Sequence, residues 1–314
     1  MPTQSDLARR LRTTTDPVTQ RDLALELLTM TRSRQHIDQA LHVLLREEVQ
    51  AELDYTHRPA LRTKALYYFD SEDRDSGGLL REQLVRLLTT IGDANDVDIF
   101  MQAAATYHRQ PVNDAAQNLR AAALHGLLRH DTTLAAAYAT RLLGEADTSP
   151  LNGEPTITAM GVLALCGQPL PVYQFVLAQG EAFAAQGLGE IIGKAFEVLV
   201  EGLPQRLFEE LAQRFAAHDV PIISSGIADA IINARAAGLY PLLEQLLSDT
   251  SHIELHHTIV ILMAAARDDE LTSRLLELAR ISPRAFVDHF VDALELLPPG
   301  KERDAALERL RGPA

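Results

Sequence analysis

The stretch GLGEIIGK, residues 187–194, carries glycines and a lysine of the kind that hold phosphate in nucleotide-binding loops. Such a loop needs a glycine, four residues and then Gly-Lys followed by Ser or Thr. Here Leu188 stands where the first glycine is needed, and Ala195 follows Lys194. A dinucleotide-binding loop would need glycine at the position of Ile192. The stretch therefore predicts a scaffold helix, whose glycines let neighbouring helices approach closely. Its apolar face would consist of Leu188, Ile191, Ile192, Ala195, Phe196 and Leu199.

Three histidines in SHIELHHTIV, residues 251–260, have the residue type of a metal site. On a helix, His252 and His256 share a face, and this spacing can supply two metal ligands. A third ligand is missing at a useful spacing, because Glu254 points to another side. The sequence therefore predicts exposed histidines at the start of a helix, without a bound metal or cofactor.

The remaining reactive side chains do not form a catalytic pattern either. Cys166 ends an apolar helix and is predicted to be a buried, small hydrophobic residue. Ser224 and Ser225 lack the Gly-x-Ser-x-Gly pattern of a nucleophile elbow. The acidic groups Glu209-Glu210 and Asp268-Asp269-Glu270 have the residue type for acid–base chemistry, but on a helix they are typical of a solvated face. No catalytic residue is predicted.

Composition limits the class of partner and the compartment. The chain of 314 residues has a net charge of −14 and no Trp, which disfavours nucleic acid as a partner. Lysine occurs only at Lys64, Lys194 and Lys301, and this arginine bias suggests a GC-rich bacterial genome. The single cysteine, the lack of a signal peptide and apolar runs of only about ten residues predict a cytoplasmic protein that does not enter a membrane.

Turn residues recur along the chain at a nearly constant interval, as they do in helical repeat proteins. These turn residues are Gly92, His130, Gly167, Gly202, Gly238, Arg267 and Pro299. Between them apolar residues recur at helical spacing and no segment alternates like a strand, so each period is predicted to hold two helices, A then B. The A helices are predicted to begin near Leu79, Ala115, Pro155, Gly187, Pro221, Ile253 and Pro283. Four further helices are predicted upstream, over 4–12, 17–31, 35–53 and 58–69.

Two of these repeats carry a family resemblance. LLREQLVRLLTTIGDANDVDIF (79–100) and NLRAAALHGLLRHDTTLA (118–135) resemble HEAT repeats, especially the phycobilisome-lyase-type subclass. Arg81 with Gly92-Asp93, and Arg120 with His130-Asp131, match its pattern. The resemblance implies an all-α fold, a right-handed α-α superhelix of about eight to nine helix pairs. The chain is then one solenoid domain over 1–314, with irregular helix pairs in 1–70 and regular repeats in 79–311. The tetratricopeptide alternative lacks its expected Trp, Gly and Tyr positions.

The resemblance also implies that B helices line a concave face. We expect this face to bind a protein partner with a basic surface, which makes the chain a non-enzymatic interaction scaffold. The exposed residues on it would be Asp98, Gln102, Gln205, Glu209, Glu210, Gln213, Glu244, Gln245, Asp269, Arg274 and Glu277.

The alternative is a HEAT-like enzyme or accessory factor, similar to alkylpurine DNA glycosylases or phycobilin lyases. Against the glycosylases stands the acidic, Trp-free composition. HEAT-like di-iron hydroxylases carry repeated His-Glu dipeptides, whereas none of the 11 histidines here is followed by Glu.

The A helices in the middle of the chain are apolar over more than one face. They span 155–166, 187–201 and 221–236, and Lys194 is the one basic residue between Arg141 and Arg206. Repeats stacked before and after can absorb this apolar surface. The alternative is an exposed apolar strip, which would make residues 155–236 a homodimer contact.

Overall fold

The chain folds into helices, as the periodicity predicts. The computed structural model describes residues 3–108, 114–145, 147–217, 220–249 and 252–312, and these contain no β-strand. The chain divides into two compact units, Met1–Cys166 and Gly167–Ala314. The single continuous domain stays a prediction, and each unit is described by itself.

The first unit, residues 1–166, has its helices in two layers. They are α1 (Gln4–Thr13), α2 (Pro17–Met30), α3 (Arg34–Leu44), α4 (Glu47–Gln50), α5 (Arg58–Phe69), α6 (Leu79–Ile91), α7 (Val97–Ala104), α8 (Gln117–His130), α9 (Thr132–Glu145) and α10 (Thr156–Leu165). In one layer α1, α3, α6, α8 and α10 pack side by side in this order. In the other layer α2 packs on α5 and α5 on α7, and Arg141 of α9 donates to the Ala104 carbonyl of α7 (2.6 Å).

The second unit, residues 167–314, repeats this arrangement. Its helices are α11 (Leu170–Ala185), α12 (Gly189–Gly202), α13 (Gln205–Ala216), α14 (Pro221–Asn233), α15 (Tyr240–Asp249), α16 (Ile253–Ala265), α17 (Asp269–Ile281), α18 (Val287–Leu296) and α19 (Lys301–Arg311). We call α12, α14, α16 and α18 the A helices, and they pack on one another in this order. We call α11, α13, α15 and α17 the B helices, and each packs on the A helix that follows it.

Local chemistry explains where many helices begin and end. Asp16 accepts a hydrogen bond from the Thr19 N–H (2.8 Å), and Pro17 occupies the first turn of α2. Asp268 caps α17 in the same way through Leu271 (3.0 Å). Gly187, before α12, has φ 79°, a left-handed conformation that glycine adopts without steric cost. The predicted starts of the A helices lie within about one helical turn of the helices observed.

One upstream prediction is wrong. The single helix expected over 35–53 is broken, because α3 ends at Leu44 and Arg46 is extended (φ −69°, ψ 134°) before the short α4. The break lets Val49 and Leu53 turn inward, and both are buried. No Gly or Pro marks this bend in the sequence, so it depends on tertiary packing.

The core of each unit lies between its layers and consists mainly of Leu, Ala, Ile and Phe. In the second unit the ring of Phe196 meets those of Phe208 and Phe215 edge to face, with centroids 5.6 and 6.0 Å apart. Among the helices described, none is long and apolar enough to cross a lipid bilayer.

Candidate binding surface

Two of the predicted partner-binding residues lie in the first unit, on α7. Asp98 is exposed and binds Arg62 of α5 through an ion pair of 2.8 Å. Gln102 is exposed and its amide donates weakly to the Phe69 carbonyl at the end of α5 (3.4 Å). Both side chains therefore contact the preceding helix of their own layer, and the charge of Asp98 is balanced by Arg62.

The other predicted residues lie on the B helices of the second unit. Gln205 donates to the Gly238 carbonyl (2.9 Å) in the turn before α15, and so ties α13 to α15. Arg274 of α17 donates to Glu244 of α15 (2.5 Å). The structure thus brings the residues of α13, α15 and α17 onto one layer. Of the remaining residues, Glu210, Gln213, Gln245, Asp269 and Glu277 are exposed, whereas Glu209, Glu244 and Arg274 are half-buried.

Most arginines of this layer already have acidic partners. Arg206 binds Glu210 (3.0 Å), Arg214 binds Glu181 of α11, and Arg274 binds both Glu244 and Glu270. Arg274 donates hydrogen bonds to Glu244 and Glu270, and these bonds raise its pKa above the ordinary value, so its positive charge is retained. Arg280, in the last turn of α17, has no ion-pair partner among the described residues.

Three acids of the same layer remain without a cation. Glu209 accepts from the Gln205 amide (2.8 Å), whereas Asp269 and Glu277 form no ion pair within the described part of the chain. The layer therefore presents carboxylates and amides outward, groups that accept hydrogen bonds from Lys and Arg side chains. We call Glu209, Asp269 and Glu277 the free acids of the B layer.

The glycine-rich stretch belongs to a helix, as predicted. Gly189 to Gly202 form α12, and Lys194 binds Glu197 on its own helix (2.6 Å). A Cβ added to Gly193 would lie 3.3 Å from the Cα of Gly226 on α14. The predicted apolar face is buried except for Leu188, which is half-buried. The prediction of close helix approach is confirmed.

The histidines differ from the prediction. His256 is buried, not exposed, and its ring stacks on Phe286 with centroids 4.0 Å apart. Its Nδ1 lies 3.2 Å from Nδ1 of His289 on α18. His257 Nε2 is 3.2 Å from an Asp292 carboxylate oxygen, close enough for an ion pair but not aligned for a hydrogen bond.

Burial, followed by the nearby histidines His289 and His257, lowers the pKa of His256 from 6.5 to about 4. His256 therefore stays neutral at pH 7. No three His, Cys, Asp or Glu side chains within the described ranges are placed to hold a metal ion. The sequence analysis missed His289, although it follows His256 by 33 residues, an interval within the range that separates successive turn residues.

Cys166 is half-buried at the end of α10, less enclosed than predicted. Its thiol lies 3.6 Å from the Thr132 carbonyl, and burial raises its pKa. A thiol with a raised pKa is a poor nucleophile at neutral pH, because the thiolate is the reactive form. At Cys166 the raised pKa therefore disfavours the thiolate at neutral pH.

The first unit has buried ion pairs that the sequence analysis did not predict. Arg120 is fully buried and donates to Asp114 (2.6 Å), and Arg81 binds Asp75 in the same way (3.4 Å). In both cases the acid precedes the arginine at the same short spacing, visible in DSGGLLR and DAAQNLR. Arg58 is held bidentately by Asp96 (2.6 and 3.0 Å). These pairs hold Asp75 against α6, Asp114 against α8 and Asp96 against α5.

A polar groove of about 660 Å³ crosses α8 in the first unit. Ala121 and Ala122 lie in it, with Arg86 of α6 on one side and Glu154 of the loop before α10 on the other. The Asn152 amide donates to Asn118 inside the groove (2.9 Å). The sequence analysis did not single out these residues, because they become neighbours only when α6, α8 and α10 pack.

Comparison of the chain with known protein families and curated proteins gives no match. No protein-family model matches the chain, and no curated protein is similar to it at a significant level.

Proposed function

We propose that the chain is a non-enzymatic interaction scaffold whose B-helix layer in the second unit docks a protein partner with a basic surface. In this proposal the helix pairs are HEAT-like and form a right-handed superhelix, with the B helices on the concave side. The observation that carries the proposal is the charge pattern of α13 and α17. Three arginines there form ion pairs with glutamates, whereas the free acids Glu209, Asp269 and Glu277 form no ion pair with a described residue.

The charge of the whole second unit supports the same partner. Residues 167–314 carry 12 basic and 21 acidic side chains, a net charge of −9. A surface of one sign attracts a partner of the opposite sign and raises the association rate, and the effect weakens as salt screens it. The amides of Gln213 and Gln245 are exposed beside these acids and offer further hydrogen bonds.

The arginine-rich composition and the single cysteine support the bacterial cytoplasm as the setting of this interaction. A partner from the same compartment is therefore sought by affinity purification from the native host. The purified partner is then titrated against the full chain by calorimetry at low and at high salt.

Two charge-matched triple variants test the surface itself. In the first, Glu209, Asp269 and Glu277 are each replaced by Lys. In the second, three exposed acids of the A helices are replaced by Lys, so the net charge of both variants is equal; these acids are Glu190, Glu201 and Glu254. We expect the first variant to weaken binding by at least about tenfold and to remove most of its salt dependence, because each rim charge contributes up to about 1 kcal/mol.

The second variant should bind within about twofold of the natural chain, since its changes lie on the other layer. Equal loss in both variants would show that net charge alone matters, and no loss in the first would exclude the B-helix layer. Circular dichroism of both variants shows whether the helices are retained.

A further inference from the structure

Cations gather around one tyrosine ring in the first unit, although the chain as a whole is acidic. The guanidinium carbon of Arg74 lies 4.3 Å from the centroid of the Tyr67 ring. The Lys64 ammonium lies 5.8 Å from the same centroid and the Arg32 guanidinium 5.9 Å. We call Arg32, Lys64 and Arg74 the Tyr67 cation cluster.

Only one cation of the cluster has a carboxylate partner among the described residues. Asp70 binds Arg74 (2.9 Å), and Arg74 also donates to the Tyr67 carbonyl (2.6 Å). Arg32 is exposed and forms no ion pair with any side chain in the described ranges, and Lys64 forms none there either. Three cations at one ring are therefore matched by a single ion-paired carboxylate.

The cations act on one another. Lys64 donates one hydrogen bond to the Thr31 carbonyl (3.0 Å), which leaves two ammonium N–H groups for another acceptor. Burial, followed by the positive charge of Arg32, lowers the pKa of Lys64. Like charges held together repel, so an anion that binds between them relieves an existing cost.

The donors suit a phosphate better than a carboxylate. Guanidinium groups present a fork of N–H donors that matches phosphate oxygens, and an ammonium adds a compact charge. The Tyr67 hydroxyl makes no hydrogen bond to any described residue and can donate as well. A phosphate monoester carries about two negative charges, whereas a carboxylate or a phosphodiester carries one.

We propose that Arg32 and Lys64, with the Tyr67 hydroxyl, bind a phosphate dianion, either free phosphate or the terminal phosphate of a monoester. The site consists of residues of the first unit and shares none with the B-helix layer, so the proposal does not rest on the function proposed for that layer. It gives an acidic chain a place that attracts a phosphorylated ligand.

Isothermal calorimetry on the full chain at low ionic strength tests the site. The probes are inorganic phosphate and glycerol 3-phosphate, with acetate and dimethyl phosphate as monoanionic controls. We expect binding of the dianions with a Kd of about 1 mM, which corresponds to about −4 kcal/mol, and at least about tenfold weaker binding of the monoanions. Binding of free phosphate without glycerol 3-phosphate would identify free phosphate as the ligand.

Variants assign the binding to the cluster. Arg32→Gln removes an exposed charge, and Lys64→Gln removes the half-buried one. Each should weaken phosphate binding by at least about tenfold, the loss of one charge-assisted contact. Tyr67→Phe should weaken it less, and Lys301→Gln, an exposed lysine in the second unit, should leave it unchanged.

Two results would overturn the proposal. One is no measurable heat with either dianion up to about 20 mM, well above the expected Kd. The other is unchanged phosphate binding in Arg32→Gln, whose exposed side chain can be replaced without disturbing the core. A thermal melt of each variant separates loss of the site from loss of the fold.

Discussion

At the scale of single residues, buried charges hold the first unit together. Burial alone would raise the pKa of Asp114, but the N–H groups of Ala116 and His108 and the Arg120 guanidinium outweigh it and lower that pKa. The carboxylate is therefore ionised at neutral pH and balances an arginine that has no access to water. Asp147 gives Arg120 a second, more exposed partner (2.9 Å).

Removal of this carboxylate charge should be costly. We expect Asp114→Asn to lower the free energy of unfolding by about 3 kcal/mol, because it leaves a buried guanidinium without its main counter-ion. Glu210→Gln serves as the control, since it breaks the exposed Arg206–Glu210 pair and should cost under about 0.5 kcal/mol. Urea unfolding at pH 7 measures both values, and similar losses would contradict a structural role for the buried pair.

The burial of His256 makes the free energy of unfolding depend on pH. Because the pKa of His256 is about 4 in the folded chain and about 6.5 in the unfolded chain, the unfolded state binds the extra proton between these values. Stability is therefore fully present above pH 6.5 and decreases as the pH falls toward 4. By pH 5 the expected loss from this residue is about 2 kcal/mol.

The variant His256→Gln should lose less stability than the natural chain between pH 7 and pH 5, by about the same 2 kcal/mol. His125→Gln, an exposed histidine of α8, is the matched control and should follow the natural chain. Urea unfolding at both pH values gives the comparison. If His256→Gln keeps the full pH dependence, the proton is taken up elsewhere.

At the scale of helices, glycines set the distance between α12 and α14. A Cβ added to Gly226 would lie 2.4 Å from the Cα of Gly193, far inside van der Waals contact with backbone. The two helices therefore approach as closely as their main chains allow. Gly161 of α10 is the opposite case, because a Cβ there would have no other atom within 4 Å.

Alanine substitutions should separate the two cases. Gly226→Ala should destabilise the chain by about 1–3 kcal/mol, because overpacking forces α12 and α14 apart. Gly161→Ala should stabilise it by about 0.5–1 kcal/mol through helix propensity. Thermal unfolding of both variants measures the difference, and stabilisation by Gly226→Ala would show that the helices are not in contact at this point.

At the scale of the whole molecule, charge is unevenly distributed along the chain. Residues 1–166 carry 17 basic and 22 acidic side chains, a net charge of −5, against −9 for residues 167–314. Arg32, beside Tyr67, has no ion-pair partner among the described residues, and neither have Glu209, Asp269 and Glu277 of the B helices. The two surfaces therefore call for ligands of opposite charge.

The sequence analysis leaves a homodimer contact over residues 155–236 as the alternative to burial by neighbouring helices, and light scattering over a concentration series tests it. Ala159 is fully buried, so a charge there would report on folding and not on association. Leu170, at the start of α11, is 65% exposed within the predicted contact, and Leu151, 92% exposed, lies outside it. If a dimer forms, Leu170→Glu should shift it toward monomer mass while Leu151→Glu leaves it unchanged. A monomer mass up to high micromolar concentration would contradict the homodimer.

Much of this architecture is determined by the sequence itself. Helical spacing of apolar residues, Gly and Pro at the turns, and the regular period of those turns predict the all-α fold and the starts of the A helices, since these are local properties of the chain. Contacts between neighbouring elements recur at the same interval along the chain. Gln205 contacts Gly238 and His256 contacts His289, and both pairs are 33 residues apart. The exposed positions of Asp269 and Glu277 also follow from helical spacing.

Only the tertiary structure decided which side chains meet. The break before α4 and the burial of His256 depend on the helices packed against them, which local propensity does not report. Arg32 and Lys64 are far apart in the sequence and belong to different elements, so their common position beside Tyr67 has no local signal. The packing of α15 on its neighbours likewise places Glu244 beside Arg274. Asp269 and Glu277 are left without an ion pair among the described residues. Contacts between side chains of different helices depend on distances in space, and these are set only when the core is packed.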